Sequence, residues 1–150
     1  MVSEPKMREI LFRGKKIHGG DWIAGDLLHG YVDGGDAWIW IDRDARIPGY
    51  NKHPDLGGPD QVIPETVGQF TGKTHKSGAK IFEGDILEYW DTFAGAQRFV
   101  VAWDDSAAAW TMQYKEGKRA RSIYLEPLLT DMEIIGNIHD NPELLEVPHA

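Results

Sequence analysis

The sequence predicts a mainly β fold with very little helix, and three observations carry that reading. Apolar residues alternate along short runs, as in Phe99, Val101 and Trp103, with the two-residue period of a strand. Seventeen glycines and eight prolines break the chain between such runs. A helical period appears only around Leu125, Leu128 and Leu129, where Pro127 limits it to about one turn. The second half then offers five short strands with that turn before the last, as a small SH3-like β-barrel requires, whereas a sandwich needs about seven strands. The first three strands form an N-terminal β-meander or small sheet, or extend the barrel. Two regions follow: 1–60, a β lobe with a long Gly/Pro-rich loop, and 61–150, which holds the barrel.

Taken in order, Met7 to Phe12 reads as a strand that Gly14, Lys15 and Lys16 turn. Trp22 to Leu28 is a second strand, with Gly25 a bulge or a point of close backbone approach. Ala37 to Ile41 is a third. Its Trp38 and Trp40 alternate with Ala37, Ile39 and Ile41, so both faces are apolar and the strand is expected between a core and a covering surface. From Arg43 to Pro64 no periodicity survives. This segment is expected to be a connector, with Tyr50, Asn51, Lys52 and His53 its most contact-ready residues. Strands are then expected at Val67 to Thr71, Gly84 to Trp90, Arg98 to Trp103, Ala108 to Tyr114 and Met132 to Asn137. Asp140, Asn141, Pro142 and Glu143 signal a final helix start.

Between the halves lies the stretch 67–87, read as strand, tight turn, strand. Gly72, Gly78 and Gly84 recur along it, and glycine enters turns of positive φ without steric cost. Asp85, just before an apolar strand, is expected to accept backbone N–H bonds across its turn. These four are assigned structural roles.

Composition excludes several classes. There is no cysteine, which rules out disulfides, thiolate nucleophiles and cysteine-ligated zinc and suits a cytoplasmic protein. The first ten residues lack the apolar core of a signal peptide, and no run approaches the ~20 apolar residues of a membrane span. The net charge of -8 argues against diffuse attraction to nucleic acid or anionic membrane. No Lys or Arg follows Arg121, and just before that acidic tail Lys115, Lys118, Arg119 and Arg121 form a basic island expected in a turn.

Four segments carry a family resemblance: Met7 to Arg13, Gly68 to Gly72 (Gly-Gln-Phe-Thr-Gly), Gly78 to Ile86 (Gly-Ala-Lys-Ile-Phe-Glu-Gly-Asp-Ile) and Ile135 to Leu145 (Ile-Gly-Asn-Ile-His-Asp-Asn-Pro-Glu-Leu-Leu). In this order they resemble the YopX family of phage and prophage proteins. The resemblance spans nearly the whole chain except Arg43 to Asp60. It implies a mainly β protein with an SH3-type C-terminal part, working in a bacterial host cytoplasm, and brings no catalytic motif or cofactor with it.

Candidate chemistry is sparse. The six histidines show no ligand spacing, so no metal is expected. Asp42 with Asp44, and Asp104 with Asp105, are carboxylate pairs able in principle to hold magnesium or act as acid and base. At strand ends, however, adjacent aspartates serve turns. Gly72, Lys73 and Thr74 imitate the end of a phosphate loop without its upstream glycine or following helix. What remains is two basic sets, Lys73, His75, Lys76 and Lys80 in one loop and Lys115, Lys118, Arg119 and Arg121 in another, which a barrel could bring to one rim beside Tyr114, Tyr124 or Trp90.

The expected function is a non-enzymatic interaction module that self-associates into a homo-oligomer, with a phage or host protein as a further partner. Six Trp, five Tyr and five Phe exceed what one core of this size needs, and surplus apolar strand faces find partners. The alternative is nucleic-acid binding through the basic loops. A metal-dependent hydrolase using Asp42, Asp44 or Asp104 is a third reading.

Overall fold

Eleven short strands and two 3₁₀ turns make up the described part of the chain, which in the computed structural model comprises residues 7–45, 47–52, 58–125 and 131–146. The strands are β1 (Phe12–Lys15), β2 (Trp22–His29), β3 (Ala37–Ile41), β4 (Asp60–Val62), β5 (Gly68–Thr74), β6 (Lys80–Phe82), β7 (Asp85–Asp91), β8 (Gly95–Asp104), β9 (Ala109–Glu116), β10 (Arg119–Tyr124) and β11 (Met132–Asn137). The 3₁₀ turns are η1 (Pro64–Thr66) and η2 (Pro142–Leu145), each with proline in its first turn. The pairing gives a six-stranded sheet, β4-β3-β2-β1-β5-β6, and a five-stranded sheet, β10-β9-β8-β7-β11. Every pairing described is antiparallel.

The chain divides into two compact units, Met1–Gly72 and Lys73–Ala150, later than the compositional boundary at residue 60. The reason is pairing: β4 is held by β3 and the start of β5 by β1, so β4 and residues 68–72 stay with the first unit.

In the first unit the register fixes which face is core. Ala37 pairs with Val62 and Leu27 with Ile39, and Ile23, Ala37, Ile39 and Val62 form a buried cluster. The first strand lies further along than expected. Gly14 sits inside β1, paired with Ile23, rather than turning the chain, and a Cβ there would lie 3.0 Å from Val62. Gly25 takes the close approach that its place in β2 suggested: a Cβ would lie 1.9 Å from the Trp40 carbonyl oxygen.

The segment after Arg43 is less irregular than its composition. Asp60–Val62 forms β4, and Pro64–Thr66 forms η1, whose Thr66 Oγ1 accepts the Lys15 N–H at 2.9 Å. Asn51 anchors the intervening loop: its N–H donates to Trp22 O at 3.1 Å and its Oδ1 accepts the Ala24 N–H at 2.9 Å. Tyr50 stacks on Trp22 with ring centroids 6.1 Å apart, and its hydroxyl accepts from Arg13 at 3.1 Å. His53 lies outside the described residues.

In the second unit Phe99 and Val101 of β8, Met112 of β9, Leu87 of β7 and Met132 of β11 are buried together with Ile81. Phe99 stands edge-on to Tyr114 at 5.3 Å, and Trp103 edge-on to Trp110 at 5.2 Å. The predicted barrel is not closed. Closure requires the first and last strands of a sheet to meet, and here β10 and β11 stand at its two ends and do not pair among the described residues. The basic island also differs from its predicted place in a turn: Lys115 belongs to β9 and Arg119 and Arg121 to β10, leaving Gly117 and Lys118 as the turn. The turn of helix expected around Pro127 lies outside the described residues.

Candidate functional site

The third and fourth segments of the signature meet at the start of β7, whereas the first two pair with each other, Phe12 with Gln69 and Arg13 with Gly68. Gly78 and Gly84 adopt φ of 91° and 90°, and Gly72, within β5, has φ 86°. Asp85, buried, accepts the Phe82 N–H at 2.8 Å through Oδ2. Gly84 bonds on both sides: its N–H donates to Val101 O at 2.8 Å, and its carbonyl accepts the Ile138 N–H at 2.9 Å. Asn137 then closes the chain end. Its Oδ1 accepts the N–H groups of His139 and Asp140 at 3.0 and 2.9 Å, and its carbonyl accepts from Asn141 at 2.8 Å. Gly136 is needed because a Cβ there would meet Asn141 Oδ1 at 2.5 Å. The residues that repeat across the signature therefore knit the β6–β7 turn to the end of β11. Asp85→Ala leaves a buried N–H without its acceptor and is expected to cost about 1–3 kcal/mol by chemical denaturation.

A second turn is tied to β11 by His75. Its Nδ1 accepts the Ser77 N–H at 3.1 Å, which places the ring proton on Nε2, and Nε2 donates to Met132 O at 2.7 Å. Lys76 pairs with Glu133 at 3.9 Å. Lys73 stands in β5 and Lys80 opens β6. The other cations stand on the β9–β10 hairpin, where Arg121 pairs with Glu116 at 3.0 Å. Since Lys76 pairs with a residue of β11, at one edge of the five-stranded sheet, and the second set lies on β9 and β10 at the other, sheet order does not bring them to one rim.

The carboxylate pairs are spent on turns. Asp42 Oδ1 accepts the Asp44 N–H at 2.9 Å. Asp104 Oδ1 accepts the Ser106 hydroxyl at 2.7 Å and the N–H groups of Ser106 and Ala107 at 2.9 and 3.2 Å. Among the described residues no three His, Asp or Glu side chains gather as a metal site would require. The Ser106 hydroxyl, with the Ala107 N–H, holds the Asp104 carboxyl below its usual 3.8. A depressed folded value means that this turn is stabilised above the unfolded value and loses that contribution as pH falls through the folded one. Carboxyl titration by NMR should place Asp104 below 3.8, and Ser106→Ala should move it upward.

A groove of about 800 Å³ lies on the outer face of the five-stranded sheet, walled by Leu144 and Leu145 at the end of η2. Its floor is Ala96, Arg98 and Val100 of β8 with Gln113 and Lys115 of β9 and Ala120 of β10. Arg98 holds the wall in place, donating to Glu88 at 2.9 Å through Nε and to Leu144 O at 2.7 Å through Nη1. Glu88 and Arg98 face each other across β7 and β8. A cross-strand pair of opposite charge was the available signal for this site, and it became readable only once the turn at Gly95 fixed the register. Beside Lys115, the residues Tyr114, Glu116 and Glu146 add to the polar part of the lining.

A different surface appears in the first unit. On the face of the six-stranded sheet opposite its core, Trp38 and Trp40 project side by side from β3. Tyr31 stands edge-on to Trp38 at 5.8 Å. Trp40 is 55% exposed and Tyr31 57%. The covering surface expected for β3 is thus missing over Trp40 among the described residues.

Comparison with known proteins agrees with the signature. The family model described as YopX protein matches residues 12–146. No curated protein matches the chain. Among solved structures, the crystal structure of protein EF1440 from Enterococcus faecalis is similar, with 21% sequence identity over 93% of this chain and 100% of that one and a TM-score of 0.47. With four signature segments in order and a family match running from β1 to the end of η2, this chain belongs to the YopX family.

Proposed function

We propose that this protein is a phage or prophage accessory protein that acts without catalysis in the bacterial host cytoplasm, as an interaction module that self-associates. The aromatic face of the first unit carries the proposal. Trp40, Tyr31 and the half-buried Trp38 leave large apolar rings in water on a sheet face, and burying such rings against a second copy removes about 25 cal/mol for each Å² of apolar surface covered. A second copy is the occupant because the patch is aromatic and free of Lys and Arg on β3, so two copies meet there without opposed cations from that strand. The carboxylates bound into turns support the non-enzymatic part.

Size-exclusion chromatography with light scattering tests this on the intact chain. A mass that rises above the 16.9 kDa monomer with loading concentration is expected. A monomer mass at every concentration refutes it.

A further inference from the structure

β10 is an edge strand without a strand on its outer side among the described residues. It ends the five-stranded sheet, and five of its six residues are exposed. In an antiparallel ladder every second residue of an edge strand turns its N–H and C=O away from its neighbour, and such a row is a template for another strand. Among the described residues nothing pairs with the outer side of Arg119–Tyr124. The charge there is opposite to that of the molecule: Lys115, Lys118 and Arg119 form no ion pair among the described residues, on a chain of net charge -8. Lys115 and Ala120 also line the groove on the outer sheet face, which opens beside the edge.

We propose that the β10 edge receives an extended acidic segment of a partner protein as an added strand. Backbone N–H and C=O groups of the segment continue the ladder, which gives binding without a fixed sequence. Its carboxylates meet Lys118 and Arg119, and side chains on one face of the segment lie toward the groove beside Ala120. Charge selects the occupant. A second copy docking edge to edge brings Lys118, Arg119 and Arg121 against the same cations, which opposes pairing. A nucleic acid would use the cations and leave the strand's outward N–H and C=O groups unused. This surface is separate from the aromatic face of the first unit and stands whether or not that face self-associates.

The test uses the full chain and a fluorescein-labelled peptide of alternating glutamate and valine, read by anisotropy. A second peptide carries N-methyl groups on alternate residues, which keeps the charge and removes ladder donors. Binding is expected for the first peptide and about tenfold weaker binding for the second, as loss of one to three ladder bonds predicts. Lys118→Glu with Arg119→Glu, both at exposed positions, should also weaken it about tenfold. Amide NMR shifts should concentrate in residues 119–124. Equal binding of the N-methylated peptide would reduce the effect to charge attraction and overturn the proposal. So would tighter binding of a labelled single-stranded oligonucleotide, or no peptide binding up to about 1 mM.

Discussion

Gly25→Ala is expected to destabilise the first unit by about 3 kcal/mol or more, read as a fall in the denaturation midpoint. The added Cβ would lie 1.9 Å from Trp40 O and 2.7 Å from Asp42 N, both backbone atoms. Neither can swing aside as a side chain would. Relief requires β3 to move away from β2, which breaks the Asp42 N–H bond to Ala24 O at 3.0 Å and disturbs the Gly25 to Ile41 pairing. Since Ile39 and Ile23 pack beneath the same two strands, the displacement reaches the core. The substitution touches no left-handed backbone, so Gly25→Ser should fail in the same way. A midpoint equal to that of the parent protein would show that β2 and β3 do not approach so closely.

The second large effect belongs to the ion pair between Lys16 and Asp60, whose nitrogen and oxygen lie 3.7 Å apart with side chains 7% and 0% exposed. Removing one partner leaves the other charge buried, so Asp60→Ala should cost about 3–5 kcal/mol. Removing both is milder: Lys16→Met with Asp60→Val should recover most of that loss, because a buried pair exchanged for apolar groups is often neutral. The difference between single and double variants in a denaturation cycle measures the coupling. Single variants costing under about 0.5 kcal/mol would place the pair in solvent.

That pair also shows where the sequence was silent. Asp60, Gln61 and Val62 are too few to show alternation, and Pro59 and Pro64 on either side read as loop. Only the partner strand β3 reveals them as β4. β10 was hidden for the opposite reason: as an edge it buries almost nothing, so Arg-Ala-Arg-Ser-Ile-Tyr carries no strong hydrophobic period. Where a strand has a core face the reading was good, and Ala37–Ile41 and Met132–Asn137 fall at the expected limits. The barrel was a question of closure, which depends on strand tilt and stagger that no single run of residues encodes. For the surfaces, the surplus of aromatic residues was visible, but which ring faces outward followed only from register. The Arg98 clamp on Leu144 joins residues too far apart in the chain for local patterning to connect them.

Sedimentation equilibrium of the parent protein beside Trp40→Glu tests the central claim most directly. Trp40 is half in solvent, so the change should leave the fold intact by circular dichroism. The account predicts a concentration-dependent oligomer for the parent and a monomer for the variant at the same concentrations. Identical masses for the two proteins would contradict it.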